Sequence, residues 1–243
     1  MELHNEADFV IYFSDKNNEV PCNDYAQAYS SKGLFIPKAC TQQPADFASQ
    51  KTIFLQQTHS TDGIVISEQN NLANIECFSR SGDYLITNQK NISLGILTAD
   101  CLPIIIYDPI NHVIANIHAG LKGSLAGIAT TVVKIMTENF ASNSKELRIF
   151  FGPAARGCCY QISETVVEKI KNWKQSSNCL LFKNQSYYLD LALFNQIQLS
   201  EIGIPETSFC QDYACCTICD NRYNSYRRDG KQAGRNITLA MLI

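Results

Sequence analysis

Histidine is scarce in this chain, four among 243 residues, and charge is thin, at 18% of positions with a formal net charge of -3. A surface of that kind has no broad positive field to hold a phosphate backbone, which argues against a nucleic-acid partner. A local basic patch can still hold a small anion. Long apolar runs are absent as well. The longest, such as Leu102 to Tyr107 (LPIIIY), fall far short of the roughly 20 residues that span a bilayer, so no membrane partner is expected. The first residues, MELHNEADFVIYFSD, lack a basic start followed by an apolar stretch and a small-residue cleavage site. The expected location is therefore cytoplasmic. No repeat, low-complexity tract or interdomain linker interrupts the chain. With 45% hydrophobic residues it has enough apolar material for one core, and residues 1–243 read as a single domain.

Eleven cysteines make a high and odd count. Without an export signal they are expected to be reduced, small and buried rather than a disulfide framework. Cys210, Cys215, Cys216 and Cys219 invite a structural-zinc reading. Their C-x4-CC-x2-C spacing lacks a second, well-separated knuckle, so free thiols are the expectation there too.

The pattern along the chain alternates strands with helices. Cys22 to Gln50 reads as a short helix with loops. Lys51 to Ser60 carries an apolar, β-branched run that ends in polar His59 and Ser60, and Gly63 to Ser67 follows as a second short strand. Asn91 to Cys101 is a strand closing at Asp100 and Cys101. Leu102 to Asp108 is the next, stopped by Asp108-Pro109, and Asn111 to His118 runs into a glycine-bearing turn. Leu125 to Phe140 fits one helix, Leu147 to Gly152 a strand, and Ser163 to Trp173 a helix with Ser163 as cap. Leu189 to Gly203 fits a helix that starts near Asp190 and stops at Gly203. Mixed sheets with helices packed outside them satisfy this alternation.

Two of the four histidines, His59 and His118, fall at polar strand ends, as Cys101 does. Such positions let side chains converge above a rigid sheet. Two imidazoles and a thiolate suit a borderline-soft cation such as zinc, with a fourth position left for water or substrate. The plain alternatives are a turn cap at His59, a small buried residue at Cys101 and a turn-shaping His118. Their separation in sequence matches no compact metal motif. His4, in a frayed terminus, and His112, at a strand start, carry no role. Gly120 and Gly123 bracket Lys122 at a strand-to-helix junction whose amides can receive an anion, or simply make a tight turn. Arg222, Arg227, Arg228 and Arg235 offer rigid forks for phosphate or carboxylate, although some must be ordinary surface charges.

Several segments together are specific: QTHS (Gln57 to Ser60), SGDYLIT (Ser81 to Thr87), LTADCLPI (Leu97 to Ile104) and HAGLKGS (His118 to Ser124). FGPAARGCCYQI (Phe151 to Ile162), YLDL (Tyr188 to Leu191), Cys216-Thr217 and SYRRDGKQAGR (Ser225 to Arg235) complete them. In this order they resemble the YfiH/laccase-domain family, multicopper polyphenol-oxidase-like proteins that include purine nucleoside phosphorylases and adenosine deaminases. The resemblance implies a compact four-layer α/β/β/α fold with mixed β-sheets and a metal held by His59, Cys101 and His118, zinc or copper. It implies phosphorolysis of adenosine, inosine and methylthioadenosine by inorganic phosphate, with deamination of adenosine in the same pocket. Asp83 and Asp100 would then orient the nucleoside or a protonating group beside the three ligands. Gln57, Lys122, Arg227, Arg228 and Arg235 would contact substrate or phosphate. The chain departs from the family's usual residues at Ser60, at Leu121 and Lys122, and at Ala155 and Arg156, which alters the pocket while sparing the ligands.

Copper-dependent oxidation of phenols is a rival, although four histidines are too few for an ordinary four-copper oxidase. A metal-free hydrolase with Cys101 as nucleophile and a histidine as base is a second, and a non-catalytic metal-binding protein a third. Monomer and weak homodimer both remain open.

Overall fold

A computed structural model describes residues 2–31, 36–41, 44–47, 51–67, 76–173 and 175–243. In chain order its strands are β1 (Glu2–Asn5), β2 (Phe9–Phe13), β3 (Lys51–Phe54), β4 (Ile64–Ile66), β5 (Tyr84–Thr87), β6 (Ile92–Thr98) and β7 (Leu102–Asp108). They continue with β8 (Val113–Ala119), β9 (Arg148–Phe151), β10 (Gln161–Ile162), β11 (Leu180–Lys183), β12 (Ser186–Leu189), β13 (Phe209–Cys210) and β14 (Asn236–Leu242). The helices are α1 (Cys22–Ser31), α2 (Lys38–Thr41), α3 (Leu121–Leu125), α4 (Ile128–Phe140), α5 (Glu164–Ile170), α6 (Leu191–Glu201) and α7 (Tyr226–Asp229).

Two mixed sheets form the centre. One runs β1-β2-β14-β6-β3, antiparallel except for the parallel β6/β3 pair; the other runs β13-β9-β7-β8-β5-β4, with parallel pairs at both edges. Alternation along β7 and β8 explains the layering. Ile104, Ile106, Val113, Ala115 and Ile117 pack outward with α4 and α6. Ile105, Tyr107 and Ile114 point the other way, against Phe9, Ile11, Leu94 and Ala240 of the facing sheet. The outer face of the five-stranded sheet is covered by α1 through Tyr25, Ala28 and Tyr29. The result is the expected four-layer α/β/β/α arrangement. Every position of β7 and β8 is buried, which is why β7 reads as a near-continuous apolar run and β8 as one interrupted by Asn116 and His118. Fully burying each of their isoleucines contributes roughly 1.5–3 kcal/mol.

Several sequence expectations shift. The helix expected over 125–140 starts only at Ile128, because Gly127 takes a left-handed φ of 75° ahead of α4 and a Cβ there would meet Thr130 Oγ1 at 2.9 Å; the glycine-bearing turn before it forms the short helix α3. Ser163 stands at the start of α5, but its hydroxyl lies 2.8 Å from Thr165 Oγ1 instead of capping an amide. Asp190 does cap α6, accepting from the Leu193 amide, and Gly203 stops it at φ 93°. His4 is not frayed: β1 pairs with β2, and its Nε2 lies 2.6 Å from Glu6 Oε1. A small antiparallel sheet, β10-β12-β11, escaped the periodicity reading. Its hairpin turns through Asn184 and Gln185, both at positive φ, as a two-residue turn of this hand requires. Expectations for residues 32–35, 42–43 and 48–50, within the stretch read as a short helix with loops, lie outside the described residues.

Candidate metal site and substrate pocket

Strand alternation aims the first donor. Ile117 faces the helices, so His118, the next residue of β8, faces the opposite side, where the ends of the two sheets meet. Two turns bring the other donors. His59 has φ 61° and Asp100, just before Cys101, has φ 86°, left-handed conformations that are uncommon outside glycine and concentrate at functional sites. Gly120 makes room. A Cβ on it would stand 2.8 Å from His59 Cδ2 and 3.0 Å from Cys101 Sγ.

The ligand atoms of His59, Cys101 and His118 lie within 4.8 Å of one another. Cys101 Sγ is 3.8 Å from His59 Nε2, and the two imidazoles meet edge to face. Two nitrogens and a sulfur at these separations fit one borderline-soft ion with a fourth position open.

Asp83 organises this set from behind. It is fully buried, and its Oδ1 accepts from His118 Nδ1 at 2.7 Å and from the His59 amide at 2.9 Å. Its Oδ2 accepts from the Ser60 amide and hydroxyl and from the Thr58 amide and hydroxyl. With Nδ1 engaged by the carboxylate, His118 turns Nε2 toward the donor cluster, the usual orientation of a metal-ligating histidine. Ser60 supplies one of these hydroxyl donors.

Burial opposes charge on all three of the coupled groups, yet the mutual contacts prevail. Burial raises the Cys101 thiol, but the His118 imidazolium and the His59 contact bring it down to about 6. Burial lowers His118, but the Cys101 thiolate and Asp83 hold it up at about 9. Asp83 is buried too, and its hydrogen bonds to His118 and Ser60 keep it well below the ordinary carboxylate range. At neutral pH, without a metal, the pair is a thiolate facing an imidazolium.

The three donors border a cavity of about 280 Å³, at the small end for small-molecule sites. Of the residues singled out from the sequence, Gln57, Asp100, Arg227 and Arg235 share that cavity. Gln57 is clamped to β6, its Nε2 donating to the Leu97 carbonyl and its Oε1 accepting from the Leu97 amide. Asp100 accepts from Thr217 Oγ1 at 2.7 Å and from the Arg227 amide at 2.6 Å, tying the Cys101 turn to α7. Arg227 lies over the Tyr160 ring and donates to the Gln161 carbonyl. Arg235 lies 4.0 Å from the Tyr25 ring centre and donates to two backbone carbonyls.

Lys122 and Arg228 do not line this cavity. Lys122 is exposed in α3. Arg228 points its guanidinium at the Thr217 and Tyr223 carbonyls and at Asp229, and lines a separate concavity with Lys16 and Glu19. Sequence reasoning missed Tyr25, Tyr160 and Tyr226, which also line the pocket, and Tyr29, whose hydroxyl accepts from the Gln57 amide. Burial, with Cys101 nearby, pushes the Tyr160 hydroxyl up, so it stays a proton donor. A usable signal existed for the α1 pair, since Tyr25 and Tyr29 are one helical turn apart on one face.

Residues 38–243 match a family model described as multi-copper polyphenol oxidoreductase laccase. A purine nucleoside phosphorylase of Clostridium acetobutylicum is 30% identical over 184 residues, 75% of this chain and 73% of that protein. The adenosine deaminase RL5, from an unknown prokaryotic organism, is 29% identical over 189 residues, 75% of this chain and 72% of that protein. The crystal structure of the Bacillus licheniformis hypothetical protein YfiH superposes with a TM-score of 0.79 at 24% identity, covering 97% of this chain and 93% of that one. That likeness establishes the fold.

Proposed function

This chain belongs to the multi-copper polyphenol oxidoreductase laccase family, and from that membership and the pocket's chemistry we propose that it is a purine nucleoside phosphorylase that also deaminates adenosine. The observation that carries the reading is the meeting of His59, Cys101 and His118 beside two guanidinium groups in one small cavity. A ligand set made for a cation and forks made for an anion, side by side, suit a nucleoside together with phosphate.

In phosphorolysis a phosphate oxygen forms a bond to C1′ as the bond from C1′ to the purine nitrogen breaks. The electron pair leaves with the base, which takes up a proton; the products are ribose 1-phosphate and free base. Because the sugar passes through a cation-like state, positioning and fixed charge do most of the work. Arg227 and Arg235, each anchored through Nη1 to backbone carbonyls, hold the phosphate. Tyr160, protonated, donates toward the nucleoside, and Gln57 sets the wall beside Leu97. Asp83 and Asp100 are positioning residues, the first for His118 and His59, the second for α7. A zinc ion held by His59, Cys101 and His118 supplies Lewis-acid chemistry to both reactions when bound. Deamination exchanges the C6 amino group of adenosine for a water oxygen and releases ammonia, with no need for phosphate.

The lowered Cys101 thiol beside His59 also supports a second reading, a metal-free thiol nucleophile. One assay series separates these. Protein of defined metal content is given adenosine or inosine with phosphate, and ribose 1-phosphate, base and inosine are measured. Expected are phosphate-dependent ribose 1-phosphate and phosphate-independent inosine, both lost on chelation and in Cys101→Ala. No product above that variant overturns the proposal. Turnover that survives chelation but not thiol alkylation favours the nucleophile, and oxygen-dependent phenol turnover that scales with bound copper favours an oxidase.

A further inference from the structure

Four thiols outside the pocket come together from two loops. Cys158 and Cys159 lie in the turn after β9; Cys216 and Cys219 form a C-T-I-C loop after β13. Backbone pairing joins the two segments, with Ala154 donating to the Cys215 carbonyl and Thr217 donating back to Ala154, each at 3.0 Å. All four sulfurs lie within 4.8 Å of one another, and Cys158 and Cys219 are 3.9 Å apart. That gap is far too long for a disulfide, at about 2.05 Å. It matches the edge, about 3.8 Å, of a tetrahedron whose corners sit about 2.3 Å from a zinc ion.

Burial and the neighbouring sulfurs push the Cys158 and Cys159 thiols up, while Cys216 is held down despite its burial, so a bound cation would displace protons from the first two. Lys183 brings positive charge beside the cluster, with Nζ 2.6 Å from the Cys158 carbonyl. Among the described residues no carboxylate or imidazole joins the four donors, so the set is soft and closed.

We propose that Cys158, Cys159, Cys216 and Cys219 bind one zinc ion as a structural site that staples the 156–161 turn to the 214–220 loop. The consequence reaches the pocket through sequence neighbours. Cys159 precedes Tyr160, a pocket residue, and Cys216 precedes Thr217, which holds Asp100. The site is distinct from the His59, Cys101 and His118 set and stands or falls without it.

The test is metal analysis of the full chain, purified under reducing conditions and loaded with zinc or with cobalt(II). The expected content is about two ions per chain, falling to about one in Cys101→Ala and to about one in the double variant Cys158→Ser/Cys219→Ser. Cobalt in the Cys101→Ala protein is expected to give the absorption of a tetrahedral four-sulfur site. Cys219→His, which keeps a donor if the double variant fails to fold, is expected to retain the ion and shift that absorption. The double variant is also expected to raise KM for the nucleoside several-fold while leaving kcat within about a factor of two, since pocket walls bind substrate in ground and transition states alike. A Cys101→Ala protein with no four-sulfur cobalt spectrum, an unchanged metal content in the double variant, or a disulfide within the four cysteines of the freshly isolated chain would overturn the site. An unaltered KM would overturn the stapling role.

Discussion

The two donor clusters among the described residues differ in what stands behind them. His59, Cys101 and His118 mix nitrogen with sulfur, sit at a strand end and in two turns, border a cavity and are organised by a buried carboxylate that accepts from both histidines' segments. The four-cysteine cluster uses one kind of donor and lies on two loops joined by backbone pairing of Ala154 with Cys215 and Thr217. Three donors of mixed kind leave a coordination position for chemistry, and four sulfurs leave none. An exposed loop site can therefore hold architecture together while the strand-end site does the work. Cysteine enters both clusters, beside two histidines and a carboxylate in one and beside three other thiols in the other.

The largest expected effect separates the clusters by activity. His118→Ala or Cys101→Ser should lower kcat/KM for phosphorolysis on the order of a thousandfold, against a few-fold for the cysteines of the loop site. Comparable losses at both would break the comparison. Next comes the support of the strand-end site. Asp83→Asn removes the charge that holds His118, and zinc affinity measured by competition with a chelator should fall about 10- to 100-fold. Gly120→Ala should act in the same direction, because its new methyl group would displace His59 and Cys101. An unchanged affinity in both variants would mean that the carboxylate and the glycine do not organise the site.

A smaller and graded effect lies in pH. A metal needs the thiolate and a neutral imidazole, and Cys101 titrates near 6 while His118 titrates near 9. Between those values the metal-free pair carries one proton that zinc must expel. Affinity should therefore rise with pH by about one decade per unit from about 6 to 9, flatten above, and steepen below about 6, where the thiol also holds a proton. Calorimetric titrations across that range check it, and a flat profile would mean that the pair is not what the metal meets. The smallest effect is a control remote from both sites. Arg148 makes two 2.7 Å contacts to Glu6, which holds that carboxyl down to about 2. Glu6→Gln should cost under about 1 kcal/mol of stability at neutral pH, because the pair is partly exposed. The pair's contribution should be present above pH 4.5 and fade as pH falls toward 2, with the metal content of both sites untouched.

Much of the fold was legible because its central strands and outer helices repeat with their own periods. β7 is a near-continuous apolar run, β8 is one interrupted by Asn116 and His118, and α6 has Asp190 and Gly203 at its ends. The late start of α4 and the short α3 before it were not, since a single glycine within an apolar helical pattern does not announce a left-handed φ. Within the pocket, Arg227 and Arg228 show the limit. They are neighbours in a string of basic residues, yet one crosses Tyr160 at the cavity and the other turns to the Thr217 carbonyl on the far side of α7. Successive residues on a helix point about 100° apart, and only the docking of that helix decides which one meets the ligand.

What this amino-acid sequence determined by itself was the order of the central strands and outer helices and the placing of Cys101 and His118 at polar strand ends, because both follow from side-chain periods set by local backbone geometry; the strand read as far as Ser60 stops at Phe54, and His59 sits in the turn beyond it. The tertiary structure alone decided that Asp83 would stand behind two of those donors, and that Cys158 and Cys159 would meet Cys216 and Cys219 across 61 residues of chain between the outer pair. Those meetings depend on which strands are neighbours and how the loops pack over their ends, and the cost of closing a long loop rises too slowly with length for spacing to single out a partner.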